Sequence, residues 1–339
     1  MIAAPSARIA GAASLETDTQ RSLYTVMRRI SVFEDEVIKA LKAGRLRSTF
    51  YPVRGLEPAC AAIGEILRRD DYVVSTYRCL GDVVAKGVPL REIAAEMYGK
   101  VSGTSKGKGG AMHMADPHRG LMATTGVVGA GLPIATGLGL AAKMQASGKV
   151  TVTTFGDGAT SIGACHESLN LAAIWQLPVV FVCQNNQWGE HTGLNSYTAN
   201  PELTDRARAV GMRAVRVDGF EPLEVYQAVR EAVHTARRDG LPTFIESITY
   251  RLRPHSFGTD TSYIPPGELE QALKRDPVPT FRARLLADQT LSAAELDDID
   301  AKVDEEVTDA FADAERAEPT PADEMTRDVY GPATEGSQR

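Results

Sequence analysis

Near its amino terminus the chain places apolar residues at helical spacing, whereas in its middle they close into short unbroken runs. Leu23, Val26, Met27, Ile30, Val37, Ile38 and Leu41 share one face of a segment that is otherwise charged, predicting a helix over 17–43 that stops at Gly44. The run from Val150 to Phe155 is β-branched and apolar enough for a buried strand, and it ends in the turn Gly156-Asp157-Gly158. Ile162, Leu169, Ala172, Ala173 and Trp175 return to roughly helical spacing, and Pro178 to Cys183 reads as a second buried strand leading to Asn185-Asn186. Strand, helix and strand in that order form a βαβ unit. Alternation of this kind continues to about Tyr250 and predicts an α/β protein with a mostly parallel sheet flanked by helices.

Two further segments are helical in pattern. Gly129 to Ala142 is rich in small residues, which permits close backbone packing. Its apolar run contains Pro133 and is shorter than the ~20 residues a bilayer requires, so it reads as a core or interface helix and not a membrane span. Glu268 to Ala317 is helical apart from an expected break at Pro277 and Pro279; Leu296, Ile299, Val303, Val307 and Phe311 form an apolar stripe suited to core packing or to docking on a partner. The division expected is an arm and helix over 1–43, an α/β domain over 44–265, a helical region over 266–318 and a flexible or partner-wrapped tail over 319–339.

In a parallel sheet both strands of a βαβ unit end on one side, so Asp157 and Asn186 are expected together at the carboxyl edge, beside a helix N-terminus that favours anions. A carboxylate and an amide carbonyl are hard oxygen ligands, suited to octahedral magnesium when a phosphate supplies further oxygens. Backbone amides at Gly158 and Ala159 are placed to hold that phosphate. A lone Gly-Asp-Gly is ordinarily a tight turn; the paired asparagines after the spacer Ala159 to Gln184 make it a metal-diphosphate candidate.

Composition narrows the class. With 339 residues, 43% hydrophobic and 24% charged, the chain is long enough to bury a sizeable core. A net charge of −7 argues against a nucleic-acid partner, and the positive turn at Lys106 to Lys108 is local. Cys60, Cys79, Cys165 and Cys183 are scattered without a CxxC pair, which suits a reducing, cytosolic setting. The Ala-rich first sixteen residues read as a frayed arm rather than a transit peptide. SKGKGG resembles a P-loop but has Ser102 and Gly109 where Gly and Ser or Thr are needed, and His166-Glu167 lacks the second histidine of a zinc motif because Asn170 stands there. His113, His118, His166, His191 and His234 show no metal-ligand spacing and read as core or surface residues, while Glu167 and Asn170 suit a cavity wall or helix packing equally.

The stretch GDGATSIGACHESLNLAAIWQLPVVFVCQNNQWG (156–189), together with STYRCLGD, KGKGGAMHM, GVVGAGLPIATG, VRVDG and YRLRPHS in that order, resembles the alpha subunits of heteromeric thiamin-diphosphate-dependent 2-oxo acid dehydrogenases over roughly residues 20 to 320. The resemblance implies a thiamin-diphosphate-binding α/β fold. Asp157, the Asn186 side chain and the main-chain carbonyl of Trp188, where relatives usually have Tyr, would ligate Mg2+. Tyr77 and Arg78 would contact the diphosphate, and Gly126 and Val128 would hold the aminopyrimidine ring. His255 lies in a Gly-, Pro-, Ser- and Thr-rich loop whose composition predicts mobility; in the family that loop orders over the cofactor, and His255 would handle a proton or stabilise charge. Tyr51 stands where many pyruvate-type members have a second active-site histidine, and Arg253 where the loop commonly carries another.

The glutamate that activates thiamin belongs, in this family, to a separate beta subunit. The resemblance therefore implies an α2β2 heterotetramer, inactive as alpha alone, with the cofactor across the interface. It would decarboxylate a 2-oxo acid and pass the acyl unit to a lipoyl domain of an acyltransferase or to a carrier protein. A split transketolase-like subunit moving a two-carbon unit from a sugar phosphate is the alternative that Tyr51 and Arg253 favour.

Overall fold

The computed structural model describes residues 15–329; the arm through residue 14 and residues 330–339 lie outside them. Helix α1 (Thr17–Lys42) buries Leu23, Met27, Ile30 and Val37 and is followed by Gly44 at φ 69°, a left-handed position that glycine adopts without strain. After α1 come α2 (Glu57–Ile66), β1 (Tyr72–Thr76), α3 (Leu80–Ala85), α4 (Leu90–Met97), β2 (Leu121–Thr125), α5 (Gly131–Met144) and β3 (Thr151–Gly156). Then follow α6 (Gly163–Ile174), β4 (Val179–Asn185), the small hairpin β5 (Trp188–Gly189) and β6 (Thr192–Gly193), α7 (Leu194–Tyr197) and α8 (Thr204–Arg208). The α/β part closes with β7 (Arg213–Asp218), α9 (Pro222–Asp239) and β8 (Thr243–Ile248), after which come α10 (Glu268–Leu273), α11 (Pro277–Ala287) and α12 (Ala293–Arg316).

Six strands form one parallel sheet in the order β2-β1-β3-β4-β8-β7. Central β4 shows why its first five residues are apolar without a break: Val180 and Val182 join the core under α1, α2 and α9, while Val179, Phe181 and Cys183 join the core under α5 and α6. Both faces are covered, as a parallel sheet requires. The small residues of α5 let it approach β4 closely, and a Cβ at Gly139 would overlap the Val179 side chain. From β1 the chain turns to one side to make β2, then crosses back to make β3. Connections therefore diverge between β1 and β3 at the carboxyl edge, which is where open α/β sheets bind ligands.

The C-terminal stripe is core. Leu296, Ile299, Val303, Val307 and Phe311 are all buried, and α12 packs on α1 and α4. Pro277 does not interrupt a helix but starts one, with the Asp276 side chain accepting from the Val278 amide. Residues 319–329, expected to be flexible or partner-bound, lie against the same chain: Thr320 N–H donates to the Gly99 carbonyl at 3.0 Å, and Lys106 and Lys108 pair with Asp328 at 2.7 and 2.9 Å. The glycine-rich turn beneath is organised by the fully buried Glu96, whose carboxylate accepts from the amides of Ser105, Gly107, Gly109 and Gly110 at 2.7 to 3.1 Å. Amides that cradle a phosphate in a P-loop are here filled by the chain's own anion.

Two glycines of α5 separate packing from helix propensity. Gly137 is exposed with open space around it, so Gly137→Ala should stabilise by about 0.5–1 kcal/mol. Gly139→Ala should destabilise by about 1–3 kcal/mol as Val179 is displaced. Urea unfolding of the two variants checks the opposite signs.

Candidate active site

Five neighbouring strands deliver polar groups to one cavity at the carboxyl edge. Val128 follows β2, Tyr77 and Arg78 follow β1, Gly158 and Ala159 follow β3, Asn186 and Trp188 follow β4, and Arg251 and His255 follow β8; all line a cavity of about 270 Å³. Asp157 is fully buried between Gly156 and Gly158, which also line it. The critical expectation is met: Asp157 and Asn186 emerge side by side, and the Asn186 amide donates to Asp157 Oδ1 at 3.1 Å. The other Asp157 oxygen accepts from the Tyr197 hydroxyl. Burial raises the Asp157 pKa, against the lowering effect of the Tyr197 hydroxyl and the Asn186 amide. The segment after Asp157 is a 3₁₀ turn over residues 157–161, so α6 begins only at Gly163.

The two asparagines divide their work. Asn185 Nδ2 donates to Glu246 on β8 at 2.8 Å and so fastens the strands together. Asn186 reaches the cavity, and its Oδ1 accepts from the Trp188 amide at 3.2 Å. The Trp188 ring packs on Tyr263, with centroids 5.2 Å apart.

Arg78 donates to the carbonyls of Pro52 and His255, and burial lowers its pKa to about 10, so it stays charged at neutral pH. Arg251 places Nη1 3.1 Å from His255 Nδ1 and donates from Nη2 to the Glu190 carbonyl at 2.8 Å and the Tyr263 hydroxyl at 2.5 Å. A guanidinium has only donors, so His255 Nδ1 is the acceptor and its ring proton sits on Nε2. Burial first, then the charges of Arg78 and Arg251 and the neighbouring His191, lower the His255 pKa to about 3. Tyr51 packs edge-on against Tyr77 at 4.4 Å and His255 at 5.2 Å. It supports the wall from behind without itself lining the cavity.

Some expectations land elsewhere. Gly126 is exposed at the end of β2 and is not in the wall. Arg253 turns away to pair with Asp35 at 2.7 Å on α1. The loop that carries His255 has no regular structure, as its composition implies, yet it is tied down: Phe257 N–H donates to Phe50 O at 2.8 Å and Leu252 N–H to Arg54 O at 3.2 Å. Glu167 and Asn170 are exposed on α6, outside the wall. Sequence reasoning missed Arg251, Tyr197 and His191. Arg251 lay inside a quoted motif, but nothing local marks an arginine as buried; His191 stacks on Tyr263 at 4.4 Å through a contact across the loop that spacing does not encode.

A parallel sheet with two buried arginines at its switch point, and an acid and an amide meeting on adjacent strand ends, defines an α/β protein with one polar crevice at its carboxyl edge. Residues 25–323 match the family described as dehydrogenase E1 component. The chain is 39% identical to the alpha subunit of acetoin:2,6-dichlorophenolindophenol oxidoreductase from Bacillus subtilis over 94% of this chain and 95% of that protein. It is 36% identical to the subunit of the same name from Cupriavidus necator, over 93% and 95%. It is also 34% identical to the chloroplastic pyruvate dehydrogenase E1 component subunit alpha-3 of Oryza sativa, over 97% and 79%. The chain belongs to the dehydrogenase E1 component family, as an alpha subunit of the thiamin-diphosphate-dependent 2-oxo acid dehydrogenases. No helix among the described residues is long and apolar enough to cross a membrane.

The His255 environment has a pH signature. The folded protein refuses a proton that the unfolded chain, with a pKa near 6.5, accepts, so stability is unaffected above that value and falls as pH drops from there toward about 3. In ligand-free protein, His255 should stay neutral from about pH 8 to about pH 5 in a ring-proton NMR titration. Arg251→Met should move its titration up toward the ordinary value.

Proposed function

We propose that this subunit anchors the magnesium-diphosphate end of thiamin diphosphate in the cavity between β1, β3 and β4, for the decarboxylation of a small 2-oxo acid or cleavage of a related ketone. One observation carries the reading. Arg78 and Arg251 are only 8% and 1% exposed, line the same cavity, and among the described residues form no ion pair. A buried unpaired cation costs several kcal/mol, and two of them facing one space call for an anion of at least two charges. Arginine's fork suits phosphate oxygens.

The donor set fits magnesium. Asp157 and Asn186 supply hard oxygens, and Asp157 keeps lone pairs beyond its two hydrogen bonds. No group of three or more His, Cys, Asp or Glu side chains among the described residues is arranged to hold a metal ion, so the ion would complete its shell with the Trp188 carbonyl and ligand oxygens. Gly158 and Ala159 approach from the strand end, Tyr77 flanks the guanidinium, and Val128 offers an apolar shelf for the ring end of the cofactor, with Gly126 just outside it. When bound, thiamin diphosphate supplies the carbon nucleophile and electron sink needed to expel carbon dioxide. His255 holds its proton at Nε2 and is positioned to donate a hydrogen bond from it to developing negative charge, while Tyr51 and Tyr77 fix the ring's orientation.

The far wall belongs to a beta subunit in an α2β2 assembly. Val127 and Val128 are 68% and 49% exposed beside the cavity, and Ile134 on α5, Leu171 and Ile174 on α6 and Trp175 after it are exposed apolar residues as well. Surface of this kind favours a large partner contact. The acyl acceptor is a lipoyl group. The transketolase-like alternative is set aside: the family match is to the dehydrogenase component, and Arg253, which favoured it, faces α1. Turnover of the reconstituted pair on pyruvate, branched 2-oxo acids, acetoin and ketose phosphates, with ferricyanide as acceptor, tests the reading; activity on ketose phosphate alone would overturn it.

Asp157→Ala should lower magnesium-dependent affinity for thiamin diphosphate by about a hundredfold or more while leaving the circular dichroism spectrum intact. Calorimetry of the α/β pair measures it, and unchanged affinity would remove Asp157 from the ligand set.

A further inference from the structure

We propose that Glu34 is a positioning residue: from helix α1 its single buried carboxylate fastens together the two loops that wall the cavity, setting Tyr51 and His255 before any ligand arrives. The inference rests on reading that cavity as the active site, but its physical content is independent of which ligand binds.

One loop, residues 50–56, carries Tyr51 and gives Arg78 the Pro52 carbonyl; the other, residues 249–257, carries Arg251 and His255 and gives Arg78 the His255 carbonyl. Glu34 is 1% exposed and lies on the core side of both. Its Oε2 accepts from the Val53 and Arg54 amides of the first loop. Its Oε1 has no hydrogen-bond donor and faces Arg253 Nε of the second loop at 3.5 Å. Arg253 is held in turn by Asp35 Oδ1 at 2.7 Å. Two backbone bonds then join the loops directly, Leu252 N–H to Arg54 O and Phe257 N–H to Phe50 O. One anion thus reaches the first loop by charge-assisted bonds and the second by charge alone, and such bonds are the stronger kind. Arg253 is a clamp on α1 rather than a group that reads substrate.

The charged groups facing Glu34 are Arg253, Arg54 and Asp35, with Arg78 and Glu57 close by. Burial raises Glu34 to about 7, against the Val53 amide, Arg253 and Arg54, so the latch is ionised and strongest above that value. A neutral Gln at this position keeps an acceptor for Val53 and Arg54 but loses its hold on Arg253.

Hydrogen–deuterium exchange on the α/β complex without cofactor, at a pH of about 8.5, reads both loops separately. In Glu34→Ala, peptides covering 50–56 and 249–257 should both exchange about tenfold or more faster, the change expected from losing a hydrogen bond to a charged group. In Glu34→Gln only 249–257 should loosen, and Arg253→Gln should reproduce that pattern. Trypsin should cut the loosened loop at Arg251-Leu252, since Arg253 precedes Pro254. Unchanged exchange of 249–257 in all three variants would overturn the proposal, even if 50–56 loosens. A merely structural role would lower the melting temperature without separating the loops in the Gln variant, which also counts against it. Because no cofactor is present, failure of the thiamin reading appears elsewhere, as absent binding by the wild-type pair in calorimetry.

Discussion

Two guanidinium groups withdrawn from water, hydrogen-bonded to carbonyls, a hydroxyl and an imidazole, set the terms for the rest of the site. Because Arg78 and Arg251 lack carboxylate partners among the described residues, their charge is directed into the cavity and onto His255. Burial first, and then that field, keep the histidine neutral, and the Arg251 donor fixes its tautomer, so a group that awaits an anion also decides which ring nitrogen can donate a hydrogen bond. Arg78 further draws two loop carbonyls toward itself, so the wall and the charge it surrounds form one structure.

The parallel sheet explains why so few residues suffice. Neighbouring strands 4.7–4.9 Å apart bring their ends within reach of one small ligand, and the strand order puts the divergence of connections between Arg78 and Asp157. Distant stretches of sequence thereby meet without any local interaction to guide them.

Much of this was legible in the sequence because it rests on local pattern. The β-branched run before Gly156, the helical spacing after it and the second apolar run fix the βαβ unit, and from that the meeting of Asp157 with Asn186 follows by geometry alone. The stripe on α12 and the stop at Gly44 were equally local. What escaped depends on burial and on long-range partners: Arg251 looks like any loop arginine, Tyr197 reaches Asp157 across forty positions of chain, and Glu34, a carboxylate at helical spacing from Met27, Ile30 and Val37 on the apolar face of α1, finds partners on two distant loops. The proline pair at 277 and 279 misled for another reason, since proline marks a helix start as readily as a break. For residues 319–329 the expectation of a flexible or partner-wrapped tail missed that Asp328 finds cations more than two hundred residues away in the chain.

The glycine-rich turn over Glu96 holds its anion internally, whereas the tail lies on that turn through exposed ion pairs. Salt screens the exposed contacts of Lys106 and Lys108 with Asp328, but ions have no path to a carboxylate enclosed by four amides. Rising ionic strength therefore weakens the grip on Asp328, while the hydrogen bonds of Thr320 and the loop beneath keep their shape, so the end of the strap answers to salt and its root does not.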